Sequence, residues 1–192
     1  MRDLIVIDNF YSNPKQVREF ALQQDFNVDG NYPGHRTKPF LNQGIVDYIS
    51  GIIGKEADID INDETSYCGA YQYTTALDRT WIHADGWNEW AGVCYLTPGA
   101  PVSGGTGLYT HKSTGKYKTP RLENGEVDTK LEEYINSQAS DYTKWELTDM
   151  VGNKFNRLVL YKGDYFHASL DYFGKDKFDG RLFQTFFFNC KN

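Results

Sequence analysis

Four histidines occur in the 192-residue chain, few enough for each to be weighed for chemistry. His83 and Asp85, in Trp81-Ile82-His83-Ala84-Asp85, lie two positions apart. On a strand, that spacing sends both side chains to one face. His167 follows the apolar run Leu158–Tyr161 in a later strand-like stretch. Two imidazoles and one carboxylate form a three-point ligand set for a divalent metal and leave coordination positions open for other molecules. The triplet alone carries little weight: four His and 17 Asp give about 0.35 His-x-Asp matches by chance in a chain of this length. An aspartate capping a turn beside an edge-strand histidine is the plain alternative, so the surrounding sequence must decide.

The elements that would position these residues fall into two kinds. Leu4–Ile7 reads as a short buried strand. Ser12 or Asn13 before Pro14 reads as a helix start, with Val17, Phe20 and Ala21 on one stripe. A second helix is expected from about Leu41 to Ile52, stopping near Gly54. Between them, Tyr32-Pro33-Gly34-His35-Arg36 reads as an ordered turn. Residues 59–111 and 145–188 are rich in Tyr, Phe, Thr, Val and Trp with period-two alternation, the pattern of antiparallel strands. Val151-Gly152-Asn153-Lys154 is expected to turn a hairpin between Trp145–Met150 and Phe155–Tyr161. The polar stretch 112–144 reads as a long insertion over the β-core, with a helical run around Leu131–Ile135. The sum is an α+β chain with helices first and then a β-sandwich or jelly roll.

Composition narrows the partners. The 20 Lys and Arg against 26 Asp and Glu leave a net charge of −6, and the basic residues never cluster. That excludes the electrostatic footprint of nucleic-acid binding and of attachment to anionic membranes. Leu4–Ile7 is too short for a signal peptide's apolar region, and no window is long enough for a membrane span. Cys68, Cys94 and Cys190 are an odd set without Cys-x-x-Cys spacing, which points to a reducing, cytoplasmic setting. The 14 Tyr, 12 Phe and 4 Trp suit either a β-rich core or a sugar-stacking surface.

Over most of residues 67–188 the sequence resembles the 2-oxoglutarate and Fe(II)-dependent oxygenases, in their prolyl-hydroxylase-like branch. Five features in order carry the resemblance. Tyr73 lies ten residues before His83, and His83-x-Asp85 follows. Ala91-Gly92-Val93-Cys94-Tyr95-Leu96 is similar to a family strand, and Val102–Tyr109, with Gly104-Gly105, to the turn after it. Leu158–Tyr161, His167 and then Arg181 in Gly180–Phe186 resemble the closing hairpin.

The resemblance implies a double-stranded β-helix, a cupin-like jelly roll, with N-terminal helices packed on one sheet. It implies one domain over 1–192: helical support at about 1–58, β-core at about 59–111 and 145–190, and an insertion at about 112–144. His83, Asp85 and His167 would hold Fe(II), and 2-oxoglutarate and O2 would be consumed, with ascorbate as an allowed accessory reductant. Arg181 would grip the far carboxylate of 2-oxoglutarate, since guanidinium binds carboxylate through a planar fork. Tyr73, Tyr95 and Thr185 would supply hydroxyls to the same molecule. Lys175 and Lys177 are rivals of Arg181, because the loop Asp171–Gly180 is longer than usual for the family and some members use lysine.

A small-molecule or peptide substrate, with an amino-acid or prolyl C–H as the target, completes the expectation. Arg36, His111 and Trp87 are candidate substrate contacts; a structural turn, a solvated loop and core packing are their bland alternatives. Two other readings of the chain stand beside the oxygenase. One is a non-catalytic jelly-roll binding module. The other is a zinc hydrolase using the same three ligands, with Glu89 as its base.

Overall fold

The computed structural model describes residues 3–191. In chain order its elements are β1 (Leu4–Asp8), α1 (Pro14–Leu22), β2 (His35–Pro39), α2 (Gln43–Ile53), β3 (Ala57–Asp58), β4 (Ala70–Thr74), β5 (Trp90–Tyr95), β6 (Thr106–His111), α3 (Thr129–Asn136), β7 (Trp145–Val151), β8 (Arg157–Lys162), β9 (His167–Ser169) and β10 (Arg181–Cys190). Two antiparallel sheets result. The larger has the order β1-β8-β5-β10-β4-β2, with β3 paired to the far end of β10; the smaller has the order β7-β6-β9.

Both N-terminal helices form for the reasons their sequences give. Pro14 sits at the start of α1, where its missing N–H costs nothing. In α2 the side chain of Asn42 accepts from the Ile45 N–H, and Gly54 closes the helix at φ 71°, a conformation cheap only for glycine. Their buried residues Ala21, Val46 and Ile49 join Leu158, Leu160, Leu182, Phe186 and Phe188 in one cluster on the larger sheet. The opposite face of that sheet meets the smaller sheet through Val93, Tyr95, Val159, Phe183, Leu108 and Val151.

Strand β10 sits between these two environments and shows how register is fixed. Leu182, Phe186 and Phe188 pack towards the helices, whereas Arg181, Phe183, Thr185 and Phe187 line a cavity between the sheets. A one-residue slip would exchange the two sets. Each buried Leu or Phe contributes about 1.5–3 kcal/mol, so such a slip is strongly resisted. The 112–144 segment supplies α3, whose Ile135 and Leu131 pack with Trp145 and Tyr109 of the smaller sheet and with Phe166 just before β9. No described helix is long and apolar enough to cross a membrane, and all three cysteines are free.

Three expectations are corrected. Residues 35–39 form an edge strand rather than part of a turn, with His35 opposite Tyr73 and Arg36 opposite Gln72. Its terminal Pro39 is tolerated because an edge strand can spare an N–H. Val151–Lys154 does not close a hairpin: β7 pairs only with β6, while β8 lies between β1 and β5. The chain turns instead at Lys154–Arg157, where the Arg157 N–H donates to the Lys154 carbonyl, and β1 pairs with β8 on the side away from β5. Finally, His83 and Asp85 lie outside any named strand; His83 forms an isolated antiparallel bridge with His167.

Candidate metal centre

That bridge is what brings the ligands together. His83 N–H donates to the His167 carbonyl at 3.0 Å, and His167 N–H to the His83 carbonyl at 2.8 Å. Two residues on, Asp85 N–H donates to the Gly163 carbonyl at 2.6 Å, which anchors the carboxylate. The ligand atoms of His83, Asp85 and His167 all lie within 4.8 Å of one another. Asp85 oxygens stand 3.3 Å from His167 Nε2 and 3.9 Å from His83 Nε2.

Each imidazole is oriented by the carbonyl two residues before it. Nδ1 of His83 is 3.0 Å from Trp81 O, and Nδ1 of His167 is 2.9 Å from Tyr165 O. A carbonyl can only accept, so Nδ1 carries a proton on each ring, and Nε2 is the nitrogen turned to the common point. Burial, reinforced by the neighbouring His167, lowers the His83 pKa to about 4, so this ring is neutral near pH 7. Burial alone would raise the Asp85 carboxyl, but hydrogen bonding to His167 and the nearby His83 and Arg36 hold it below its usual value. Two imidazole nitrogens and an ionised carboxylate form a donor set suited to a divalent cation.

The triad faces an inner cavity of about 80 Å³ that Arg181 also lines. Arg181 is 1% exposed. Its Nε donates to Gly104 O at 2.8 Å and its Nη2 lies 3.3 Å from Gly105 O, but Nη1 is buried with no partner among the described residues. A buried N–H of a charged group left unpaired is costly, and a carboxylate in the cavity would satisfy it. Gly105 is fixed by the backbone packed beside it: a Cβ there would stand 1.9 Å from the Val151 carbonyl. Tyr95 is on the same side, with its hydroxyl 2.7 Å from Thr106 Oγ1 and Arg181 Cζ 5.3 Å from its ring. Thr185 lines the cavity, although its hydroxyl turns to the Tyr67 and Ala70 carbonyls.

Other candidates stand elsewhere. Tyr73 is on the helix-facing side, its ring stacked on His35 and packed against Phe26, because Tyr73 pairs with helix-facing Leu182. Its neighbour Gln72, opposite Phe183, takes the cavity side instead. His111 is neither at the cavity nor solvated: it is fully buried between Thr114 and Gln138 with Trp145 against its ring. Lys177 donates to Leu22 O, outside the cavity, and Lys175 is exposed, so neither competes with Arg181 for the inner wall. Glu89 is tied to Lys162 at 2.8 Å and does not line the cavity.

A wider bowl of about 330 Å³ opens beyond the triad, lined by Arg36, Tyr32, Tyr67, Trp81, Trp87 and Phe187. Arg36 is buried, whereas Trp87 is 79% exposed at the rim. Sequence reasoning missed Gln72, Tyr161, Tyr32 and Phe187. Strand alternation from Arg181 would have placed Phe187 on the cavity side, but the run Phe186–Phe188 reads as uniform core. A larger groove of about 710 Å³, at the N-terminal helices, holds none of the candidate residues.

Three solved structures share this architecture. HygX from Streptomyces hygroscopicus, with nickel and 2-oxoglutarate bound, matches with a TM-score of 0.56 at 10% identity, covering 96% of this chain and 81% of that one. A prolyl hydroxylase from Trichoplax adhaerens, in complex with a hypoxia-inducible-factor peptide fragment, gives 0.52 at 13%, over 98% and 84%. IDO from Bacillus thuringiensis gives 0.51 at 11%, over 98% and 93%. At such identities the likeness is one of fold. No curated protein matches the chain. A family model does match it over residues 1–188, and the chain belongs to that family, DUF6445, a family of unknown function.

Proposed function

We propose that the protein is an Fe(II)- and 2-oxoglutarate-dependent dioxygenase that hydroxylates an unactivated C–H of an amino-acid or peptidyl substrate, releasing succinate and CO2. We read its two sheets as a double-stranded β-helix of the prolyl-hydroxylase-like kind, and 1–192 as a single domain. One observation carries the reading: a His/Asp/His triad and an arginine with a buried, unpaired Nη1 line the same small cavity. The first suits a divalent metal and the second a carboxylate, and 2-oxoglutarate is a ligand that needs both.

In this scheme His83, Asp85 and His167 hold the iron. Bound iron(II) supplies oxygen activation, with two electrons from decarboxylation of 2-oxoglutarate and two from the substrate C–H bond. The chain's part is placement and exclusion. Arg181 takes the far carboxylate and fixes the cosubstrate's direction, with Tyr95 and Thr106 beside it. Val93, Tyr161 and Phe183 narrow the inner cavity, which keeps water from the reacting end. Tyr161 stays un-ionised, since burial pushes its hydroxyl well above the ordinary range.

The test is anaerobic addition of Fe(II) and 2-oxoglutarate, followed by visible absorption. A charge-transfer band that requires both additions, and succinate formation on admitting O2, are the expected results. Absence of the band sinks the proposal.

A further inference from the structure

The inner cavity uses Arg181 and leaves a second buried guanidinium without a role. Arg36 is 5% exposed and lies on the wall shared by the inner cavity and the outer bowl. Its Nε and Nη2 both donate to Gln72 Oε1, the residue opposite it across the β2–β4 pair. Among the described residues no carboxylate pairs with it, and the edge formed by Nη1 and Nη2 keeps a free N–H pair. Tyr32 and Tyr67 hold the guanidinium plane, with Cζ 3.7 Å and 4.6 Å from their ring centres. Burial depresses its pKa to about 10, the mark of a cation short of counter-charge.

The charges of the site point the same way. Apart from Asp85, Arg36 is the only charged residue lining the bowl among the described residues. Once Asp85, Arg181, a divalent metal and the 2-oxoglutarate dianion are set against one another they cancel, and Arg36 remains as one unbalanced positive charge. A substrate without a free anionic group would leave Arg36 unpaired, whereas a carboxylate would pair with it directly. Asn31, Ser66 and Asn88 also line the bowl, but the rings of Trp81, Tyr67 and Phe187 offer an apolar surface that suits an apolar body beside the anion.

We propose that Arg36 anchors a free carboxylate of the prime substrate, so that the enzyme acts on a small carboxylic acid with an apolar body, an amino acid for instance, and not on the interior of a peptide. This rests on the inner cavity being the 2-oxoglutarate site, because that assignment leaves Arg36 to the substrate. The exposed edge offers two parallel N–H groups, the arrangement a carboxylate takes bidentately.

The experiment is calorimetric binding to protein loaded with Zn(II) and the unreactive cosubstrate analogue N-oxalylglycine. The probes are apolar L-amino acids and the same compounds as primary amides. At least one acid is expected to bind tenfold or more tighter than its amide, with Arg36→Gln erasing that preference and Arg36→Lys retaining part of it. The wild-type comparison of acid with amide needs no variant and stands even if Arg36→Gln fails to fold. The proposal is overturned if amides bind as well as acids, if no acid binds, or if the preference survives Arg36→Gln. It is also overturned if Arg36→Gln weakens N-oxalylglycine as much as the acid, which would place Arg36 at the cosubstrate. Failure of the oxygenase reading looks different: wild-type protein would not bind N-oxalylglycine at all.

Discussion

Arg181 and Arg36 are both buried guanidinia with one side held by protein acceptors, yet they stand on different material. Arg181 begins β10, a strand with neighbours on both sides, and its acceptors are backbone carbonyls of Gly104 and Gly105. Arg36 is on the edge strand β2, is held by one side-chain oxygen, and is walled by Tyr32 and Tyr67 from the loops on either side. The inner end is therefore set by sheet register and the outer end by loop packing. In physical terms the first tolerates little change, while the second can be altered without disturbing the core.

The sharpest way to break this contrast is at the shared metal point. His167→Ala removes one ligand and leaves Asp85 with a single imidazole partner. Iron-dependent absorption and succinate production should both fall to background, measured under anaerobic titration and then in air. Retained activity would show that the His167 imidazole is not a metal ligand, leaving its residue only the backbone bridge to His83.

Next in size is the inner arginine. Arg181→Met should weaken 2-oxoglutarate by about 2–5 kcal/mol, tens to thousands of fold in KM, as expected when a buried charge pair loses one member. The same change removes an unpaired buried N–H, so the ligand-free variant should melt no lower than wild type. Lost thermal stabilisation by 2-oxoglutarate together with unchanged apo stability would mark Arg181 as a ligand anchor. A large fall in apo melting temperature would mark it as a structural residue instead.

The same contrast explains what the sequence revealed. The convergence of His83, Asp85 and His167 was legible because few residue types can bind a metal and the spacing survives without a regular strand: one bridge at His83 suffices to aim Asp85. Arg181 and Thr185 shared a face by simple alternation. Tyr73 misled because a short strand can be read in either parity, and only pairing with Leu182 decides that it faces the helices. His35–Pro39 went unseen because its polar residues and proline carry no strand pattern, and its partners are distant in sequence. The bowl was the least legible part, since Tyr32, Arg36, Tyr67 and Phe187 come together only in three dimensions. His111 shows the reverse error: a histidine beside a polar stretch looked solvated, but the insertion folds back and buries it.

Acid should act more gently, through His83 of the metal-free protein. Its imidazole stays neutral down to about pH 4 when folded, but takes a proton near 6.5 when the chain unfolds. The unfolded state then binds more protons between those values, so stability falls as pH drops from about 6.5 towards 4 and is flat with respect to this group above that window. Asp85, held below its usual value, adds its own loss only at lower pH. Denaturant midpoints at pH 7 and pH 5 check the slope, and His83→Asn should flatten it. Bound metal should shift the fall to lower pH, since protons and metal compete for Nε2.

The smallest effect is expected at the rim. Trp87 is 79% exposed, so Trp87→Ala removes little buried area and should change stability by no more than about 0.5 kcal/mol. Because it lines the bowl without reaching the inner cavity, 2-oxoglutarate affinity should be unchanged. Prime-substrate KM should rise by a few fold at most, because a solvent-exposed ring excludes little water from a bound ligand. If Trp87→Ala instead weakens 2-oxoglutarate as strongly as Arg181→Met does, the two parts of the cavity are one coupled unit, and the division between a register-set inner end and a loop-set outer end is wrong.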